Sequence, residues 1–224
     1  MLGFIASAAC RRILDYLSLA CDRAEKKQVV LLEELKYLRR WFGVHGFSLN
    51  YDDMPFWDPS MKWWTGFGWD SPGTFAADHV MDYQFDHTLF QMHGSVLFGY
   101  GGRSVELRRY ETRSEARANR ISSHSGLFFQ DHRPSMNVPM ITGYRKADEM
   151  LREPFAAYYW YFKQVAMKVP RWLIVGYGGR DTHINQVLRT ARMIHGDAMR
   201  CVIINYYPRR INELSVRSID SPLR

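Results

Sequence analysis

A histidine in the segment Gln91-Met92-His93-Gly94-Ser95 has the surroundings of a catalytic base. The segment follows an apolar run, so we expect the histidine near the carboxyl end of a strand, where open α/β sheets bind ligands. An imidazole titrates close to neutral pH and exchanges a proton under ordinary conditions. A histidine in an apolar run is also common in protein cores, so the segment alone leaves both interpretations open.

Three further segments place polar residues or glycines directly after apolar runs. Asn50 and Asp52 follow the run 44–49, and Asn205 follows the run 201–204. The turn Gly176-Tyr177-Gly178-Gly179 follows the run 172–175, and Asp181 is predicted to cap the next helix. Glycines let a ligand approach the backbone, and a helix N-terminus offers N–H groups to a phosphate. Strand ends of one sheet would converge with His93 on one crevice, although each segment is also explained as a simple turn.

The elements that must position these residues form an α/β pattern. Residues 5–42 are predicted to form two helices, the second ended by Gly43. A helix opened by Pro154 and stopped by Pro170 precedes a βαβ unit, whose own helix has an apolar face of Ile184, Val187, Leu188, Ala191 and Ile194 and ends at Gly196. Residues 104–121 are predicted to be a charged helix. Strands are predicted at 44–49, 88–100, 172–175 and 201–204, the last two buried on both faces of a parallel sheet.

Residues 54–79 are predicted to be a long loop, because prolines and glycines interrupt any regular element. Four tryptophans lie in this loop: Trp57, Trp63, Trp64 and Trp69. Loops of this length are uncommon unless they are functional or structured by their own side chains. The tryptophans therefore either pack the loop onto the domain or form a lid or wall over a ligand pocket.

Taken in order, these segments resemble the motifs of sirtuin-like domains, the relatives of the silent-information-regulator deacetylases. Residues 47–53 resemble the Asn-Tyr-Asp motif of that family, and residues 91–95 look like its catalytic His-Gly-Ser segment. Residues 173–184 are similar to its strand-to-helix turn, and residues 201–205 to its last cofactor-contacting strand. The resemblance covers roughly residues 44–206.

The resemblance implies a Rossmann-type domain that binds NAD as its substrate. In this family the histidine is a base acting on the nicotinamide ribose, which makes His93 the expected base. Asn50 would orient water or the ribose beside the bond that breaks, and Asp52 would support the site. The resemblance also implies a set of cofactor contacts: Gly94, Ser95, Gly176, Tyr177, Gly178, Asp181 and Asn205.

Two departures from the family narrow the expectation. The three cysteines, Cys10, Cys21 and Cys201, include no Cys-x-x-Cys pair, which excludes the four-cysteine zinc module of the deacetylases and predicts no metal. The closer relatives are zinc-free sirtuin-like domains of prokaryotic defence proteins, many of which hydrolyse NAD. The Gly-Ala-Gly-type loop that cradles the pyrophosphate is also not found. We therefore expect an α/β fold with a Rossmann-like parallel sheet and flanking helices, lacking the first strand and glycine loop.

The chain is basic, with a formal net charge of +7 and a pI of about 9.4. Many of its arginines lie in one stretch with interspersed glutamates: Arg103, Arg108, Arg109, Arg113, Arg117 and Arg120. This pattern favours a solvated helix face with Glu–Arg pairs over a nucleic-acid patch. Attraction for an anionic small ligand also fits the sign of the charge.

The expected function is hydrolysis of NAD to nicotinamide and ADP-ribose by a sirtuin-like domain acting as a defence effector. The alternative is a catalytically inactive or truncated sirtuin-like domain that binds a nucleotide or a partner protein. The expected partners are NAD and either a second copy or a fused or partner defence protein, with nucleic acid disfavoured. No apolar stretch reaches the roughly 18 residues of a membrane span, and the scattered cysteines favour a reducing, cytoplasmic location. The predicted organisation is a helical segment 1–43, a core 44–206 and a tail 207–224.

Overall fold

The computed structural model describes residues 2–24, 29–81, 86–101, 106–120, 129–130, 133–134, 139–141 and 150–205. The described residues form a mixed α/β fold, and the chain divides into two compact units, Met1–Tyr159 and Trp160–Arg224. The helices are α1 (Leu2–Ala24), α2 (Val29–Trp41), α3 (Ala77–Met81), α4 (Arg113–Ala118), α5 (Phe155–Lys168) and α6 (Thr182–His195). The strands are β1 (Val44–Ser48), β2 (Gly73–Thr74), β3 (His87–Gln91), β4 (Phe98–Tyr100), β5 (Leu107–Arg109), β6 (Phe129–Gln130), β7 (Arg133–Pro134), β8 (Arg171–Val175) and β9 (Arg200–Ile204).

The described strands pair in four small sheets. β1 runs parallel to β3, with Val44 opposite His87 and Ser48 opposite Gln91. An antiparallel sheet has the order β2-β5-β4, and β6 pairs antiparallel with β7. β8 runs parallel to β9. Two parallel strand pairs are thus present, and the carboxyl ends of each pair lie on one edge. The site residues were expected from the sequence at such strand ends.

In the first unit the two predicted N-terminal helices are confirmed as α1 and α2. Two hydrophobic clusters join these helices to the segments around the β1–β3 pair. One cluster joins Leu32 of α2 to Met61 and Trp63 of the loop 54–79 and to Leu89 of β3. The other joins α1 to the segments after β3, through Leu14, Cys21, Val96, Leu97 and Met140. The helices therefore hold the strand ends by burying apolar side chains.

The tryptophan-rich loop packs onto its own unit. Trp63 and Trp64 are buried, and the indole Nε1 of Trp63 donates to the carbonyl of Pro55 over 3.0 Å. Trp57 donates to Asp53 Oδ1 over 2.9 Å, whereas Trp69 is exposed. The packing interpretation is confirmed for the two buried indoles, because their rings supply core area.

In the second unit, β8, α6 and β9 form the predicted βαβ unit. One face of α6 is buried through Ile184, Val187 and Ala191, and the helix ends at Gly196, whose φ is +52°. Ile194, predicted on that same face, is exposed in the last turn. The α5 helix carries the predicted apolar positions and ends at Lys168, before Pro170.

Two element predictions are wrong. The run 88–100 is not one strand, because β3 ends at Gln91 and β4 begins only at Phe98, with Gly94 at φ +107° between them. The stretch 104–121 is not one helix. Its residues 107–109 form β5, which pairs with both β4 and β2, and the helix starts later, where Thr112 and Glu115 form a capping box.

The prediction that β8 and β9 are buried on both faces is also wrong. Alternate residues are exposed along both strands, with Leu173 opposite Val202 and Val175 opposite Ile204 on the exposed face. Leu173 is 48% exposed and Val202 is 43% exposed. The apolar runs therefore predicted the two strands correctly, but they did not predict that one face of each strand is exposed.

Candidate functional site

The turn that carries His93 is fixed from two sides. The backbone N–H of Met92 donates to the carbonyl of Ser48 over 2.8 Å, and the N–H of Ile141 donates to the carbonyl of His93 over 2.7 Å. Gly94 has a φ of +107°, and a Cβ at this position would overlap the carbonyl oxygen of Pro139. The chain thus needs glycine here for its backbone conformation and for the close approach of segment 139–141.

The imidazole of His93 is oriented by the end of β1. Its Nδ1 lies 3.2 Å from the carbonyl oxygen of Leu49. A carbonyl oxygen only accepts hydrogen bonds, so Nδ1 carries the proton of the neutral ring and Nε2 is the basic nitrogen. The residue is 8% exposed, which keeps the ring within the protein interior.

Asn50 and Asp52 lie directly after β1, next to the carbonyl that His93 contacts. Asn50 is exposed, and its backbone N–H donates to Ser48 Oγ over 3.2 Å. Burial raises the pKa of the Asp52 carboxyl, opposed by the hydrogen bond that its Oδ1 accepts from the N–H of Met54 at 3.2 Å. Gln91 Nε2 donates to the carbonyl of Asp52 over 2.7 Å. The three predicted catalytic residues therefore occupy the carboxyl ends of neighbouring parallel strands.

Gly94 and Ser95 hold the turn after His93. Ser95 is fully buried, and its Oγ accepts the N–H of Leu97 over 3.1 Å. The N–H of Val96 donates to the carbonyl of Tyr51 over 2.8 Å, which connects this turn to the segment after β1. Both residues have a structural role of their own here, and their contact with a nucleotide stays a prediction.

The glycine turn of the second unit is open on its outer side. Gly176 and Gly179 have φ values of +66° and +69°, and a Cβ at Gly176, Gly178 or Gly179 would meet no heavy atom of the described residues within 4 Å. The N–H of Gly176 donates to the carbonyl of Ile204 over 2.8 Å, so the turn is tied to the end of β9 just before Asn205. Such a turn leaves room for a ligand against its backbone.

Tyr177 and Asn185 organise the same turn from within. The hydroxyl of Tyr177 lies 2.9 Å from Asn185 Oδ1 and 3.0 Å from the carbonyl of Asp181, and Asn185 Nδ2 donates to the carbonyl of Gly179 over 2.7 Å. Asp181 occupies the cap position of α6, but its side chain makes no capping hydrogen bond. The predicted side-chain cap is therefore wrong, and Asn185, which the sequence did not single out, orders the turn. Convergence of this turn with the His93 turn stays a prediction.

An arginine ladder connects α4 and Arg120, two residues after that helix, to α1, and the sequence alone did not predict its partners. Arg113, Arg117 and Arg120 form the ladder. Arg113 Nη1 donates to Asp22 Oδ1 over 2.7 Å, and its Nε donates to Asp53 Oδ2 over 2.7 Å. Arg117 Nη2 donates to Ser18 Oγ over 2.8 Å. Arg120 Nη1 donates to Asp15 Oδ1 over 2.6 Å.

The ladder corrects the prediction of a solvated face of Glu–Arg pairs. Arg120 is 2% exposed, and its nearest acidic partner lies on another helix. The ladder arginines recur at helical spacing, and so do Asp15, Ser18 and Asp22 on α1. That matched spacing was the signal that two helix faces pair. Because these arginines form ion pairs within the protein, they are engaged and do not favour a nucleic-acid patch.

Arg109 is a second feature that the sequence did not single out. Its guanidinium carbon lies 4.6 Å from the centre of the Phe56 ring. Burial lowers the pKa of Arg109, opposed by the neighbouring Tyr158, Asp53 and Glu111. An arginine guanidinium stays protonated at neutral pH. Its positive charge therefore lies over the ring of Phe56, in the segment that follows β1.

No helix in the described part of the chain combines the length and the apolar character needed to cross a membrane. No protein-family model matches this sequence, and no curated protein matches it. The resemblance to sirtuin-like domains therefore rests on the sequence motifs alone.

Proposed function

We propose that this chain is a zinc-free sirtuin-like domain of Rossmann-like fold that hydrolyses NAD to nicotinamide and ADP-ribose, with His93 as the base. The observation that carries the proposal is the contact of His93 Nδ1 with the carbonyl of Leu49, at 3.2 Å. This contact directs the imidazole to Leu49, the residue that precedes Asn50. The parallel β1–β3 pair and the β8–α6–β9 unit support a Rossmann-like sheet. A role as a defence effector, with a second copy or a defence protein as partner, extends the same proposal.

The chemistry assigned to these residues is balanced by one water molecule. The bond between the ribose C1′ and the nicotinamide nitrogen breaks, its electron pair leaves with nicotinamide, and water adds to C1′. One proton is released, and Nε2 of His93 accepts it from a ribose hydroxyl or from the water. The amide of Asn50 offers a donor and an acceptor to orient that water.

The glycine turn has the properties of a phosphate-binding turn within its own unit. Its backbone is open on the outer side, and it leads directly into the N-terminus of α6, a helix of 14 residues. Backbone N–H groups at such an end favour an anion. For Gly176, Tyr177, Gly178, Asp181 and Asn205 we propose contact with a nucleotide.

A second candidate is a domain that binds a nucleotide or a partner protein without turnover. The burial of His93 and Ser95 favours it, because a reacting ribose must reach a side chain that is 8% exposed. Calorimetric titration with NAD and ADP-ribose separates the candidates. Micromolar binding of both without nicotinamide release supports the non-catalytic domain, and release of nicotinamide excludes it.

The test of the first candidate is incubation of the purified chain with NAD. We expect release of nicotinamide by the unchanged chain and a reduction by a factor of about 10²–10⁴ in His93→Ala and in Asn50→Ala, the usual contribution of a positioned base or orienting group. His79→Ala is the control, because this histidine is exposed on α3. Equal rates in the unchanged chain and both site variants overturn the assignment.

A further inference from the structure

Within the described part of the chain, Arg109 stands without an ion-pair partner. The residue lies on β5, opposite Gly73 of β2 and Phe98 of β4. Its Nε is buried and has no hydrogen-bond partner. Within the described ranges no carboxylate lies within 4.0 Å of its guanidinium nitrogens, although Arg113 has two such partners and Arg120 has one.

Of the three groups that favour the charge of Arg109, Asp53 and Tyr158 are engaged elsewhere, and Glu111 is exposed and forms no ion pair with it among the described residues. Asp53 accepts from Trp57 Nε1 on one oxygen, at 2.9 Å, and from Arg113 Nε on the other, at 2.7 Å. The hydroxyl of Tyr158 donates to the carbonyl of Thr65 over 2.6 Å, and full burial raises the pKa of Tyr158 far above neutrality. Neither group is placed to neutralise the guanidinium.

A buried charge without a partner is unfavourable, because the loss of hydration is not offset by an ion pair or hydrogen bonds. Perturbed buried charges cluster at functional sites, where a ligand can supply the missing charge. The side chain of Arg109 is half-buried as a whole although its Nε is fully buried. The part of the side chain that solvent reaches therefore lies outside Nε.

We propose that Arg109 binds an oxyanion of phosphate chemistry. One face of the guanidinium lies on Phe56 at 4.6 Å, which leaves the N–H groups along its edge as donors. Two terminal N–H groups in one plane match two oxygens of a phosphate group. The formal net charge of +7 also favours an anion as the ligand.

This site goes beyond the proposed function, because it requires neither His93 nor the cleavage of NAD. If the chain binds NAD, the pyrophosphate of that molecule is the phosphate group available to it, and this one identification rests on the proposed function. A carboxylate shares the geometry of a phosphate, so the experiment compares the two.

The experiment is calorimetric titration of the full chain with sodium pyrophosphate, and separately with succinate. We expect pyrophosphate to bind the unchanged chain, and to bind Arg109→Gln at least about tenfold more weakly, as loss of one charge-assisted pair predicts. Arg108→Gln is the matched control. Arg108 is the preceding residue of β5, is half-buried, and also has a buried Nε without a partner, but alternation along the strand directs it to the other face. We expect this control to bind as the unchanged chain does.

Thermal unfolding without ligand separates binding from folding. Removal of an uncompensated charge leaves the melting temperature of Arg109→Gln unchanged or higher. Failure of the unchanged chain to bind pyrophosphate, equal binding by Arg109→Gln, or tighter binding of succinate than of pyrophosphate would overturn the proposal. His93→Ala binds pyrophosphate normally on this account, so loss of NAD cleavage and loss of anion binding are distinguished.

Discussion

At the scale of single residues, His93 is oriented by the carbonyl of a residue distant in sequence. Its place at a strand end was predictable, because an apolar run followed by Gly94 indicates a strand and then a turn. Its tautomer was not, because the carbonyl that orients the ring belongs to Leu49, 44 residues earlier. Arg109 was missed for a related reason: a charged residue in a mixed-sign stretch gives no sign that it is half-buried on Phe56.

Gly94 is predicted to be irreplaceable. Gly94→Ala places a Cβ on the carbonyl of Pro139 and holds a non-glycine residue at φ +107°. We expect a loss of about 2 kcal/mol or more of unfolding free energy. Gly68→Ala in the same unit is the control, because its Cβ would meet its nearest atom only at 3.8 Å. Urea denaturation measures both, and equal effects would contradict the prediction.

A histidine pair on β1 and β3 is predicted to make the first unit sensitive to acid. Burial lowers the pKa of His45, and the charge of His87 lowers it further while Asp86 opposes this. Burial and the charge of Arg39 likewise lower the pKa of His87. Below about pH 6.5 the unfolded chain binds protons that the folded chain resists, so stability is full above that pH and falls as the pH decreases.

The measurement is urea denaturation at pH 7.5 and at pH 5.5 for the unchanged chain and for His45→Gln. The glutamine keeps a polar group near Thr88 Oγ1, which His45 Nδ1 approaches to 3.2 Å, but does not titrate. We expect a smaller loss of stability on acidification in the variant. A loss of the same size in both proteins would show that His45 does not contribute.

At the scale of elements, periodic patterns predicted α1, α2 and the βαβ unit, because a repeated apolar stripe reports burial directly. β5 escaped prediction, since its three residues include two arginines and its stability comes from pairing with β2 and β4. The exposed face of β8 and β9 was not predicted, because the apolar character of a residue such as Leu173 does not show whether another element covers it.

The two arginines that approach Asp15 are predicted to contribute unequally to stability. Arg120 and Arg11 both approach Asp15, but Arg120 does so at 2.6 Å with its side chain 1% exposed, and Arg11 at 4.0 Å with its side chain 46% exposed. We expect Arg120→Met to cost about 3 kcal/mol and Arg11→Met less than about 0.5 kcal/mol.

Thermal or urea unfolding of both variants, each alone and with Asp15→Asn, gives the pairwise coupling. The coupling between Arg120 and Asp15 should exceed that between Arg11 and Asp15. Equal couplings would mean that burial does not strengthen the inner pair.

At the scale of the whole molecule, the two units carry different parts of the proposed chemistry. The first holds His93, Asn50 and Asp52 at the ends of β1 and β3, and the second holds the glycine turn before α6. The sequence predicted both strand ends, because each follows an apolar run. A single sheet that includes all four parallel strands stays a prediction, since pairing between distant segments leaves no mark in local periodicity.

The most direct measurement is the rate of nicotinamide release from NAD by the unchanged chain and by His93→Asn. The amide nitrogen of asparagine retains a donor near the position of Nδ1, so the contact with Leu49 is kept while the base is removed. We predict release by the unchanged chain and at least a hundredfold lower rate in the variant, at an unchanged melting temperature. No release by the unchanged chain, or equal rates in the two proteins, would contradict the assignment of His93 as the base.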